Sequence, residues 1–260
     1  MTRPLALLAG CLLLPAGTAD DKPTPEDLAK AEQVVKDYLD VKKADGYKLE
    51  RIDDPAVGRA FPNHLVYSVI FRQYPVARAA PEGLKSQNLF FVAGGKLTLV
   101  QDAKGLERVF REAAAPAKDE KVAADVALAW LRFAEELRQD GFYKFKTVEE
   151  ATKAGGGNAS AKATVSAGGN GEIKVELSFD ADGKLTRASE AAVLKPGPRP
   201  ICQATKLLDP DPLVRRICEQ DLLIMGPPAL EYLDEQAAKA PPELRAEIER
   251  VRRKILAGER

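Results

Sequence analysis

The chain has 260 residues, 45% of them hydrophobic and 30% charged, with 39 basic side chains against 39 acidic ones and a single histidine. Those proportions belong to a soluble globular protein, and the balanced charge excludes a dedicated nucleic-acid or polyanion binder, which would carry a basic stripe. One histidine and three cysteines with no Cys-x-x-Cys pair leave no conventional zinc site.

The chain opens with the pattern of a secretory signal. Arg3 supplies the basic start, Pro4 to Leu14 the apolar run, and Gly17-Thr18-Ala19 the small residues before a cut between Ala19 and Asp20. Leu8-Ala9-Gly10-Cys11 also spells a lipoprotein cleavage box. Cys11, however, would have only a short apolar stretch before it and Leu12-Leu13-Leu14 after it, so lipidation there is the minor alternative. Removing residues 1–19 takes away Arg3 and no acid, leaving 38 basic and 39 acidic side chains and a net charge of −1. No later apolar run reaches the ~20 residues of a membrane span. The expected location is the bacterial periplasm or the cell exterior.

A first helix is expected from Thr24-Pro25-Glu26-Asp27, a capping residue, a proline in the first turn and two acids at the positive end of the helix dipole. Its apolar stripe is Leu28, Ala31, Val34, Val35, Tyr38 and Leu39. The period then changes from 3.6 to 2 through Leu65 to Phe71, Asn88 to Ala93 and Lys96 to Val100, with a hairpin at Gly94-Gly95. A second helical stripe, Val122, Val126, Ala129, Trp130, Phe133 and Leu137, is followed by strands over Phe142 to Val148, Ala161 to Ser166, Glu172 to Phe179 and Lys184 to Val193.

The two halves echo each other. Phe91-Val92-Ala93-Gly94-Gly95-Lys96-Leu97-Thr98 and Phe179-Asp180-Ala181-Asp182-Gly183-Lys184-Leu185-Thr186 share the frame F-x-A-x-G-K-L-T, 88 residues apart. Asp45-Gly46-Tyr47 and Asp140-Gly141-Phe142 lie 95 residues apart, and the same offset places Ala31, Val35 and Tyr38 on Val126, Trp130 and Phe133. The expected architecture is α+β: two duplicated helix-plus-antiparallel-sheet units, residues 24–114 and 117–195, each with one helix across its own sheet through the Tyr38 and Trp130 faces. In element order alone this resembles the cystatin-like and nuclear-transport-factor-like folds. With no motif of either family present, the resemblance implies no function.

Beyond the break at Lys195-Pro196-Gly197-Pro198-Arg199-Pro200, residues 201–258 are expected to be helical. Residues 207–257 resemble a HEAT-type repeat through Asp211, Pro212, Val214 and Arg215, then Leu222, Gly226, Ala229, Leu230 and Leu233, with Cys218 in the small buried seat. Leu244, Ile248, Val251 and Ile255 form the stripe of a further helix. Only about one and a half repeats are covered, which implies a cap or packing element rather than a long recognition groove.

The remaining constellations are sparse. Cys202 and Cys218 survive export, and both a disulfide across the helical hairpin and a pair of buried thiols fit them. His64, at the edge of a strand, has no evident nucleophile or orienting acid. Gly155-Gly156-Gly157 and Gly168-Gly169-Asn170-Gly171 read as turns. Asp180-Ala181-Asp182-Gly183 is a hairpin turn, its glycine wrongly placed for a calcium loop. Glu135-Glu136 and Glu149-Glu150 read as solvated charge. No catalytic residue, metal ligand or cofactor is expected. The expectation is an exported, non-enzymatic binding or interaction module of the bacterial envelope, partnered by a protein or an envelope component. The alternatives are a structural envelope module, or a hydrolase using His64 in a pocket between the units.

Overall fold

The computed structural model describes residues 23–71, 80–197 and 203–258. The signal segment with Cys11 and the Ala19–Asp20 junction, and also Cys202, lie outside the described residues. The architecture is α+β, with two antiparallel sheets and a helical C-terminal segment.

Helix α1 (Pro25–Val41) starts at a reciprocal cap: Thr24 Oγ1 accepts from the Asp27 backbone N–H while Asp27 accepts from that of Thr24. Its buried residues Ala31, Val35 and Leu39 lie on a meander of β1 (Tyr47–Arg51), β2 (Leu65–Phe71), β3 (Gln87–Ala93) and β4 (Lys96–Val100). Tyr38 meets Phe90 edge-on at 5.5 Å, and the Tyr67 hydroxyl donates to the Leu28 carbonyl at 3.1 Å.

The opposite face of this sheet is equally buried. Val66, Leu89, Phe91 and Val100 pack against α2 (Pro55–Ala60), α3 (Ala103–Ala113) and α4 (Glu120–Glu136). The expectation of a single helix per unit therefore needs correcting, because α2 and α3 cover a second face of the first sheet. The run Leu65-Val-Tyr-Ser-Val-Ile-Phe71 agrees with this, since strands buried on both faces are nearly continuous in apolar residues.

Helix α4 also covers the second sheet. That sheet runs in the order β5 (Lys144–Thr147), β7 (Asn158–Ala167), β8 (Gly169–Phe179), β9 (Leu185–Pro196), with the short β6 (Lys153–Gly155) also pairing with β7. Ala159, Ala161, Ala163, Ile173, Val175 and Leu177 face α4, whereas Lys162, Lys174 and Glu176 face water. The turn from β7 into β8 needs glycine: at Gly168, with φ +75°, an added Cβ would lie 1.9 Å from the Phe142 carbonyl oxygen.

Trp130 stands between α3 and the second sheet. Its ring is 4.7 Å from that of Phe110, and its Nε1 donates to Glu190 Oε2 at 2.7 Å, with Arg138 bonded to the other Glu190 oxygen. The Trp130 face thus reaches β9 of its own sheet and α3 of the first unit together.

A helix precedes an antiparallel sheet in both halves, but the halves differ: α2 interrupts the first sheet between β1 and β2, β6 enters the second between β5 and β7, and the shared F-x-A-x-G-K-L-T frames sit differently. Phe91 pairs with Thr98 across a two-residue turn, while Phe179 pairs with Leu185 beside a bulge. Phe91 points away from α1, and Phe179 points toward α4. A one-residue difference in strand register is enough to exchange faces in this way.

The C-terminal segment contains α5 (Pro212–Met225), α6 (Leu230–Lys239) and α7 (Pro242–Leu256). They close over Cys218, Leu222, Leu233, Ile248 and Val251, and Phe142 joins this cluster from the second unit. Asp211 caps α5 by accepting from the Leu213 N–H at 2.8 Å, and Gly226 ends it with φ +65°. One carboxylate ties this segment to both sheets, for Glu231 accepts from Lys48 on β1 at 2.8 Å and from Lys144 on β5 at 3.0 Å. Burial pushes the Glu231 carboxyl up, but the two lysines outweigh it and hold it at about 2. Its contribution is therefore present above the ordinary value of 4.5 and is lost as pH falls toward 2. Because Glu231 is partly exposed, Glu231→Gln is expected to cost only on the order of 1 kcal/mol, read as faster amide exchange in α6 at neutral pH.

Candidate functional site

A cleft of about 400 Å³ opens between the two units, within the size range of small-molecule sites. Its floor is one line along α4, where Leu128, Arg132 and Glu135 follow at steps of four and three residues and so share a face. One wall is the start of α2, with Asp54, Pro55, Ala56 and Arg59; the other carries Thr147, Glu149 and Thr152, from the end of β5 and the turn beyond it.

Each wall is held in place by local chemistry. Asp54 caps α2, its Oδ1 accepting from the backbone N–H groups of Ala56 and Val57 at 2.8 and 3.2 Å. Arg59 makes a two-pronged pair with the buried Asp125, at 2.5 and 2.7 Å, which locks α2 onto α4. Arg132 reaches along its own helix to Glu135 Oε2 at 3.2 Å and to Glu136 Oε1 at 2.5 Å.

Glu135 and Glu136 correct the reading of that pair as solvated charge: they are only 5% and 8% exposed. The reason is long-range, because α2 and the first sheet dock on the side of α4 that would otherwise meet water. Glu149 and Glu150 are exposed, as expected. A clue to the buried pair does exist in the sequence, since apolar residues from Val122 to Ala134 spread around α4 rather than along one stripe. Such a helix is enclosed, and its acids are enclosed with it.

The consequence for Glu135 is chemical. Its Oε1 is buried and has no hydrogen-bond partner, and the same is true of Thr152 Oγ1 on the facing wall. Burial pushes the Glu135 carboxyl up to about 7; Arg132 pulls against this, and the nearby charges of Glu136 and Asp54 push the same way as burial. A polar group left without a partner in such a place costs about 1–3 kcal/mol, and the cleft holds two of them, Glu135 Oε1 and Thr152 Oγ1.

The other candidates lie elsewhere. His64 immediately precedes β2, packed against Phe61 and Phe91 at 5.9 and 6.3 Å, outside this cleft. Burial lowers its pKa, and Nδ1 has no partner. Cys218 is buried in the C-terminal cluster with Sγ 3.4 Å from the carbonyl oxygen of Gln203, the neighbour of Cys202. A larger hollow of about 510 Å³ lies on the outer face of the second sheet, where Ser178 Oγ donates to Asn158 Oδ1 at 2.8 Å; among the described residues, none of the buried side-chain atoms without a partner lies in its lining. Among the described residues no group of three His, Cys, Asp or Glu side chains could hold a metal ion, and no helix is long and apolar enough to cross a membrane.

No protein-family model, curated protein or solved structure matches this chain. The assignment of a role rests on the geometry of the site.

Proposed function

We propose that this is an exported, non-enzymatic binding module of the bacterial envelope, and that it takes up its ligand in the cleft between the two units. One observation carries the reading: a buried carboxyl oxygen of Glu135 and the facing hydroxyl of Thr152 are both without partners in a cleft of ligand size. The HEAT-like segment then serves as a cap, fastened to both sheets through Glu231. The secretory pattern of residues 1–19 supports export, with Asp20 as the mature terminus. Of the two readings of Cys202 and Cys218, a disulfide or a pair of buried thiols, that compartment favours the disulfide. Titration of the denatured, unreduced mature protein should accordingly find no free thiol, and two thiols would contradict the bridge.

The test is native mass spectrometry of the mature protein mixed with the low-molecular-mass fraction of an envelope extract. A discrete adduct that Glu135→Gln abolishes is the expected result. An absence of any adduct, or one that the substitution leaves intact, would count against the cleft.

A specific observation also favours a second reading, hydrolysis. Glu135 titrates near neutrality in a cleft shared with the carboxylates of Asp54 and Glu149, an arrangement that can divide acid and base roles. Turnover of a hydrolase substrate panel, lost in Glu135→Gln and retained in His64→Ala, would favour it over binding. His64 sits outside the cleft, so the hydrolase reading passes from His64 to Glu135.

A further inference from the structure

The charge distribution of the cleft narrows the ligand class. Five carboxylates line the cleft or pair with its lining: Asp54, Asp125, Glu135, Glu136 and Glu149. Against them stand two guanidinium groups, and both are committed. Arg59 spends its fork on Asp125, while Arg132 is divided between Glu135 and Glu136. Neither arginine is left as a free anion hook, and the surplus is negative from every side: Glu136 on α4 itself, Asp54 from α2 and Glu149 from the turn after β5. We propose that the cleft binds an organic cation, a primary ammonium or a guanidinium, seated on Glu135 Oε1 with Thr152 Oγ1 as a second acceptor.

The reasoning rests on the cleft being a ligand site and goes on to its chemistry. Glu135 Oε2 already accepts from Arg132, so Oε1 is the oxygen with spare capacity. An entering N–H donor satisfies it and offsets the excess negative charge, whereas an anion would meet carboxylates on all sides. A neutral polyol would satisfy the hydrogen bonds and leave the charge unbalanced. A dehydrated metal ion needs a denser set of oxygen ligands than the described residues bring together. Because burial holds Glu135 partly protonated at neutral pH, a cation must displace that proton, and the two equilibria are linked. If only the carboxylate binds, affinity falls about tenfold between pH 8 and pH 6.

The ammonium or guanidinium could be carried by a free small amine or by a basic side chain of a peptide. Calorimetry of the mature protein with putrescine and agmatine, and with the blocked tripeptides Ala-Lys-Ala and Ala-Arg-Ala, separates these sources. Glycerol, glucose and acetate are the neutral and anionic controls. Expected is binding of at least one cation, about tenfold weaker at pH 6 than at pH 8 and lost in Glu135→Gln. Titrations of the wild type at pH 7 in buffers of different ionisation enthalpy should show about half a proton released per cation bound; this readout stands even if the variant folds poorly. Binding of glucose or acetate in place of the cations would overturn the inference while leaving the cleft a ligand site. Cation binding without proton release, or with equal strength in Glu135→Gln, would overturn it, as would silence of every cation at 10-millimolar scale. In that last case the extract adduct separately judges the broader reading.

Discussion

Replacing Trp130 with alanine is expected to cost about 3–5 kcal/mol, the range for deleting a large aromatic from a closed core. The side chain is 1% exposed and touches both Phe110 on α3 and Glu190 on β9. Its loss opens a cavity beside Phe110 and removes the indole donor from Glu190, leaving that carboxylate to Arg138 alone. Against a typical domain stability of about 5–15 kcal/mol, this is a large fraction, and it should appear as a lower urea midpoint with an unchanged slope. Trp130→Phe, which keeps most of the volume and loses only the indole hydrogen bond, should recover most of the deficit. A loss below about 1 kcal/mol for the alanine variant would mean that the two units do not close on this residue.

The second large effect belongs to Glu135 and depends on pH. Its carboxyl moves from the ordinary 4.5 to about 7 in the folded protein, so the folded state holds the proton more tightly than the unfolded chain. Stability on this account is complete below pH 4.5 and is lost as pH rises through 7. That gap corresponds to about 3 kcal/mol at most. Glu135→Gln keeps the shape and an acceptor for Arg132 while removing the charge. It should be more stable than the wild type at pH 8, by about 1–3 kcal/mol, and close to it at pH 5. Urea unfolding of both proteins at the two pH values reads this directly, and parallel pH curves would contradict a buried carboxyl.

What the sequence conveys well is local. The cap at Thr24 and Asp27, the stripe Ala31-Val35-Leu39, the glycine turns and the alternation Ile173-Lys174-Val175-Glu176-Leu177 all announce their structures through neighbours a few residues away. Helix α2 did not, because Pro55-Ala56-Val57-Gly58-Arg59-Ala60 is too short to show a period and contains a glycine. Helix α3 carries a usable signal, with Asp102 as cap and Leu106, Val109, Phe110 and Ala113 at helical spacing, but it closes the first unit, where a pattern of one helix per unit leaves it no place. The site was the least legible part. Glu135 and Glu136 look like any exposed pair until residues some 75 positions earlier in the chain, Asp54 to Ala60, close over them. Sequence periodicity places a residue on one side of a helix, whereas the partner that covers that side is set by tertiary contacts.

The cleft as a functional site stands on Glu135 being enclosed there with an unsatisfied oxygen, and carbon-13 NMR of the glutamate side-chain carboxyls tests that most directly, with Glu135→Gln used to assign the resonance. Titrated in the mature wild-type protein, the Glu135 signal should show a midpoint near 7, moving lower when a bound ligand takes up the spare oxygen. A midpoint near 4.5, the ordinary value, and indifferent to added ligands, would contradict the account.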